Sequence, residues 1–130
     1  MQKLKVNEHS SGSYTCYLVD QDGLAVGAVN VTLARLTLYD YTSDQILNSR
    51  NDQDVRNLNG VTIADVVEGG VTRTKITWSM QPADNAVVDQ TRTGVEKHIA
   101  LFSFSWLGGH LHHEAVIYVQ PLARIPRASE

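Results

Sequence analysis

Cysteine is nearly missing. Cys16 is the only one, which excludes an intramolecular disulfide and the paired-cysteine core of antibody domains. Basic excess is missing too. Eleven Lys and Arg face fourteen Asp and Glu, for a net charge of −3. No basic stripe runs along the chain, so a grip on a phosphate backbone is excluded and no nucleic-acid partner is expected. Charge of either sign is modest, at 19% of residues, which suits a surface that ends up against partners. The opening segment, Met1-Gln2-Lys3-Leu4-Lys5-Val6, has no apolar run of the kind a signal peptide needs. No stretch approaches membrane-spanning length. The expectation is a chain that folds in a reducing cytoplasm and has no membrane partner. Phosphate loops, dinucleotide glycine fingerprints, internal repeats and low-complexity tracts are all absent from the sequence.

What remains is a chain of 130 residues, 42% of them apolar. That is one domain by length, large enough to fold without a metal or a disulfide. Residues 1–13 end in Ser10-Ser11-Gly12-Ser13 and read as a mobile arm or an edge segment. Tyr14–Val19 is rich in β-favouring residues, and Asp20-Gln21-Asp22-Gly23 makes a turn after it. From Arg35 to Tyr41 residues alternate as a two-faced strand, and Gln45–Asn48 reads as its return strand. Asn48–Gly60 is crowded with Asn, Asp and Arg. It reads as a solvated loop with a helical turn around Asp52–Leu58, or else as a contact loop for a partner. Val61–Val66 is a short strand, and Val71–Met80 alternates with Trp78 as a core anchor. Gln81–Asn85 is a compact turn, and Asp89–Gly94 is a polar loop.

The clearest element comes last. Glu96–Trp106 and Leu111–Val119 flank Gly108-Gly109, a pair suited to a two-residue hairpin turn. In that register Trp106 opposes Leu111. One face carries His98, Ala100, Phe102, Phe104 and Trp106 and is assigned to the core. The other carries Ile99, Leu101, Val116 and Tyr118, so apolar side chains also point outward. A sheet with only one buried face should not do this. Either the domain covers these four itself, or another subunit does. Pro121-Leu122-Ala123-Arg124-Ile125-Pro126-Arg127 is kept extended by its prolines. It reads as a frayed tail or as an arm that docks on a neighbour, through Pro121, Leu122, Arg124 and Ile125. The resulting fold class is all-β, a two-sheet antiparallel sandwich of immunoglobulin type with one short helical turn in its loops. Its organisation is an N-terminal arm (1–13), the sandwich (14–120) and an extended C-terminal arm (121–130).

Candidate chemistry is thin. His110, His112 and Glu114 alternate along one strand face, roughly 6–7 Å apart at each step. Imidazoles and a carboxylate are zinc-type ligands, but three ligands on one strand rarely meet at one ion, and a polar hairpin tip is the plainer account. His113 faces the core beside Phe104. Cys16 lies in a strand with no positive charge beside it and reads as a small apolar residue rather than a thiolate. No nucleophile–base pair and no paired carboxylates stand out, so no catalysis and no cofactor is expected.

One resemblance spans residues 14–126. It is carried by Tyr17–Gly23 leading to Leu36-Thr37-Leu38-Tyr39-Asp40, then Ile46-Leu47-Asn48, Leu58–Ile63, Thr77–Asn85, and Glu96–Trp106 with its glycine turn. This pattern resembles small Ig-like structural proteins of tailed bacteriophages and prophages, and more loosely the Ig-like N-terminal domain of baseplate upper proteins. The resemblance implies a non-catalytic virion component, made in the host cytoplasm. It would assemble in many copies with itself and other phage structural proteins, as capsid decoration or a head–tail neck part. It supplies no catalytic residues. The alternatives are a receptor- or carbohydrate-binding module of a phage tail using loops such as Asn48–Gly60, and a metal-binding domain built on His110, His112 and Glu114.

Overall fold

In the computed structural model, residues 2–89 and 94–122 are described. Eight strands occur among them: β1 (Gln2–Asn7), β2 (Ser13–Leu18), β3 (Val31–Asp40), β4 (Gln53–Asp54), β5 (Val61–Glu68), β6 (Val71–Ser79), β7 (Glu96–Trp106) and β8 (Gly109–Gln120). They build two sheets, one in the order β1-β8-β7-β3-β4 and the other β2-β6-β5. Strands β8, β7 and β3 lie side by side, facing β2, β6 and β5, which is the order that defines an immunoglobulin-type sandwich. All pairs are antiparallel except β1, which runs parallel to β8. The helical turns are single 3-10 turns at Ala28–Asn30 and Pro82–Asn85. Neither falls at Asp52–Leu58, where one was expected. There, β4 adds to β3 instead.

Alternation decides which side chains enter the core. Along β6, Thr74, Ile76 and Trp78 are buried while Arg73 and Lys75 are not. Phe102 is the aromatic centre. It meets Trp78 edge-on at 5.7 Å, stacks on Phe104 at 5.8 Å and on Tyr14 at 6.3 Å. Such pairs add about 0.5–1.5 kcal/mol each beyond the area they bury. Cys16 is buried in the same cluster, and loss of solvation pushes its thiol up to about 12, so it is inert at neutral pH.

Three sequence expectations change and one alternative is decided. Residues 2–13 take the edge-segment reading rather than the mobile arm: Leu4 and Val6 pack on the core while Lys3 and Lys5 face out, making β1 an edge strand. Gln45–Asn48 is not a return strand. It does return antiparallel to β3, but only as the Tyr39–Ile46 bridge, with the Asp40 amide donating to Gln45 O and the Leu47 amide to Leu38 O; the strand paired with β3 on that side is Gln53–Asp54. The last hairpin turns one residue earlier than the Gly-Gly pair suggests, on Leu107-Gly108, with Trp106 opposite Gly109. Side chains repeat every two residues along a strand. The pairing has shifted by that same amount, so both faces keep their members. Trp106, however, becomes the last pair before the turn and is only half-buried at the core's rim. Trp78, Phe102 and Phe104 are fully buried.

Candidate functional site: the loop end of the sandwich

The strand order gathers three connections at one end. Leu107-Gly108 closes β7–β8, Val31 at the start of β3 pairs with Trp106, and the Ala28–Asn30 turn sits just before it. The Ala28 amide donates to Asp65 Oδ1 at 2.9 Å, which ties that turn to β5. The 19–25 loop leaves β2 beside Thr74, and Gly69-Gly70 turn β5 into β6 nearby. Apolar side chains concentrate here in the open: Leu107 is 95% exposed, Val29 93%, Val67 72%, Leu24 64%, Val71 54% and Val19 48%. A single exposed apolar residue is ordinary; here six, from four separate segments, share one end of a small domain.

A cleft of about 410 Å³ opens at this end between the 19–22 loop and the β7–β8 turn. Asp20 shapes one wall: its Oδ1 accepts from the amides of Asp22 and Leu24 at 2.8 and 3.0 Å. Trp106 shapes the other. Its ring packs against Gly109, where a Cβ would come within 2.9 Å of it. Gly109 is therefore what gives this tryptophan its seat.

The polar groups with the most chemical promise lie elsewhere and are enclosed. Asp40, Glu96 and His98 bring one donor atom each to within 4.8 Å of one another, the only such group of three among the described residues. His98 Nε2 lies 2.6 Å from Glu96 Oε1 and 3.8 Å from Asp40 Oδ1. Burial alone would raise the Glu96 pKa. Hydrogen bonds from His98 and from the Val88 and Asp89 amides outweigh it and hold the carboxyl below its ordinary value. All three side chains are buried, so no substrate reaches them. A second enclosed pair joins Arg50 to Asp84, with Nε–Oδ1 at 2.6 Å and Nη2–Oδ2 at 3.2 Å, and the guanidinium over the Trp78 ring. A third, only part-buried, contact joins Tyr14 Oη to His113 Nε2.

The expected site residues are placed as follows. Ile99 and Val116 are 3% and 1% exposed within the single chain, so they present nothing to a partner. They sit in a row that crosses four strands, from Tyr39 through Ile99 and Val116 to Lys3, in which β1 gives Val116 its outer neighbour. Leu101 and Tyr118, on the same face, are half-buried. Pro121 is buried, and the Leu122 amide donates to Glu8 Oε1 at 2.7 Å. The first two residues of the expected docking arm therefore belong to the domain itself. Arg124 and Ile125 lie outside the described residues. His110 and His112 are neighbours, with ring centroids 5.0 Å apart, and His112 pairs with Ser103 at 2.9 Å. Glu114 does not join them in a three-donor group. Asn48–Gly60 is pinned rather than free. Asn48 donates to Asp84 and Gln81, Asn57 accepts from the Ile63 amide, and Asn59 donates to Asp54 O. Asn48, Asp52, Asn57 and Asn59 take left-handed backbone, which explains a composition that first suggested solvent or a partner. Sequence reasoning missed the loop end because its apolar residues come singly from distant segments. The one local signal was Leu107 beside a glycine turn.

No family model matches the chain, and no curated protein matches it in sequence. Among solved structures it is similar to a chimeric titin Z1Z2 protein functionalised with an exogenous peptide from decorin. That match has 14% identity and a TM-score of 0.36, over 93% of this chain and 88% of that one. It is also similar to a DUF4426 family protein from Pseudomonas aeruginosa PAO1, at 9% identity and a TM-score of 0.40, over 88% and 78% of the two chains. A third similarity is to a pair of titin Ig tandem domains, at 13% identity and a TM-score of 0.37, covering 94% of this chain and 45% of that one. The class is an immunoglobulin-type β-sandwich, and strand order defines it. The similarities say nothing about what this chain binds.

Proposed function

We propose that this chain is a non-catalytic structural component of a tailed-phage particle, an Ig-type domain that works by contact through its loop end. The phage setting is supported by the resemblance across residues 14–126. The observation that carries the contact role is the group of exposed apolar side chains around Leu107, Val29 and Leu24. On a lattice of repeated sites, capsid surface or head–tail neck, many weak contacts of this kind add up to firm attachment. The contact surface in this reading is the loop end rather than the outer face of β7 and β8. Purified chain should co-sediment with tailed-phage capsids or connectors. The double variant Val29→Asp, Leu107→Asp changes only open positions and should associate at least about tenfold more weakly. Failure of the unaltered chain to associate, or equal association by the variant, would count against the proposal.

A second reading, a carbohydrate-binding module of a phage tail, is favoured by one feature. Trp106 stands at a cleft with Asp20 and Asp22, an aromatic face beside hydrogen-bonding carboxylates. Glycan-array binding that is lost in Trp106→Ala would move the assignment to this reading.

A further inference from the structure

We propose that the cleft beside Trp106 receives residues 123–130 of a second copy of this chain. This rests on the reading above that the loop end is a contact surface. The chemistry of the two parts is complementary. The cleft presents Asp20 and Asp22, the half-buried Trp106 ring and the apolar Val19 and Leu111, with no Lys or Arg in its lining. The segment reads Ala123-Arg124-Ile125-Pro126-Arg127-Ala128-Ser129-Glu130, two guanidinium groups around an apolar Ile-Pro pair. Guanidinium pairs with carboxylates in a planar fork and stacks on tryptophan. Pro126 favours an extended backbone at Ile125, which suits an open cleft.

Reach decides which copy supplies the segment. The cleft lies at the start of β8, and the chain leaves the domain at the opposite end of that strand. Leu122 is held there by Glu8, whose own amide donates to Gln120 O at 2.9 Å. Leu111 to Gln120 is nine strand steps, roughly 30 Å. Arg127 lies five residues past Leu122 and extends at most roughly 18 Å from it. A chain therefore cannot fill its own cleft, while a neighbour stacked above can. The contact joins unlike surfaces, so repetition gives a ring or a polar filament rather than a closed two-fold dimer.

The test uses the 130-residue chain in sedimentation velocity. The unaltered chain should self-associate in a concentration-dependent way. Asp22→Arg alone and Arg124→Glu/Arg127→Glu alone should each weaken this about tenfold or more. Mixing the two variants should restore association, because the unaltered tail of the first meets the unaltered cleft of the second and the reversed cleft and reversed tail are again opposite in charge. A labelled peptide of residues 121–130 should bind saturably to the Arg124→Glu/Arg127→Glu chain, lose binding as salt rises, and compete poorly when scrambled. Self-association that persists in Arg124→Glu/Arg127→Glu would overturn the proposal. So would peptide binding that survives Asp22→Arg, or a scrambled peptide that binds equally well. Particle association by the unaltered chain is a separate readout, so a failure of tail docking is distinguishable from a failure of the phage reading.

Discussion

Arg50 shows how a charged side chain becomes a structural part. It is 1% exposed, and its guanidinium spends every nitrogen within the fold, two on Asp84 and one on Gln53 Oε1 at 2.9 Å. Asp84 also accepts from Asn48 and from the Gln81 amide. The pair thus ties the loop after β3 to the 3-10 turn after β6, over the Trp78 ring. Removing one partner leaves the other charge buried and alone, which costs far more than the pair gains on forming. Asp84→Ala is expected to lower stability by roughly 3–5 kcal/mol, read from urea denaturation. A loss under about 1 kcal/mol would mean the pair is solvated in practice. None of this was legible in the sequence. Arg50 and Asp84 lie in segments that read as a polar loop and a turn, and the contact between them is made only by the tertiary fold.

At the scale of elements, glycines separate strained turns from open ones. Gly60 has φ +91, and a Cβ there would meet Ser79 O at 2.9 Å; Gly69 has φ +59 with nothing within 4 Å. Gly60→Ala should therefore cost more than about 2 kcal/mol and Gly69→Ala about 1 kcal/mol, as shifts in thermal midpoint. Equal shifts would show that space around Gly60 relaxes freely. Element-level reading of the sequence succeeded where alternation is strong. The Thr74, Ile76, Trp78 face of β6 and both faces of β7–β8 come directly from a period of two. It failed where pairing is non-local. The pairing of β1 with β8 is parallel and joins distant parts of the chain, so the sequence left an edge segment and a mobile arm both open before Ser10-Ser11-Gly12-Ser13. β4 is two residues long and has no pattern to read. The turn of the last hairpin was misplaced because two adjacent glycines compete for it, and only Gly108, at φ +96, takes the left-handed conformation.

For the whole molecule, acid is the expected weakness. Burial pushes the His113 pKa below its ordinary 6.5, where its Nε2 pairs with Tyr14. Unfolded, the imidazole takes up a proton near that ordinary value. Below it, the unfolded chain binds more protons than the folded one, and stability falls with pH. Glu96 acts in the same direction further down. Its folded pKa is depressed, so its contribution is present above the ordinary carboxylate value and is lost as pH falls through the folded one. The urea midpoint should therefore drop from pH 7 to pH 5 and again towards pH 4. His113→Gln should flatten the first drop and leave the second. An unchanged first drop in that variant would assign it to another group.

The placement of β8 has one more consequence. This strand lies between β1 and β7 over its second half, from Ala115 on, and the chain leaves the domain from that end. Tension on whatever follows Gln120 would run along the strand axis, while the hydrogen bonds to both neighbours lie across it. They would bear the load side by side, and none could be peeled away first. A subunit tethered through that end would be held inside its larger sheet, and tearing it loose would mean sliding the Ala115–Gln120 stretch out from between two strands.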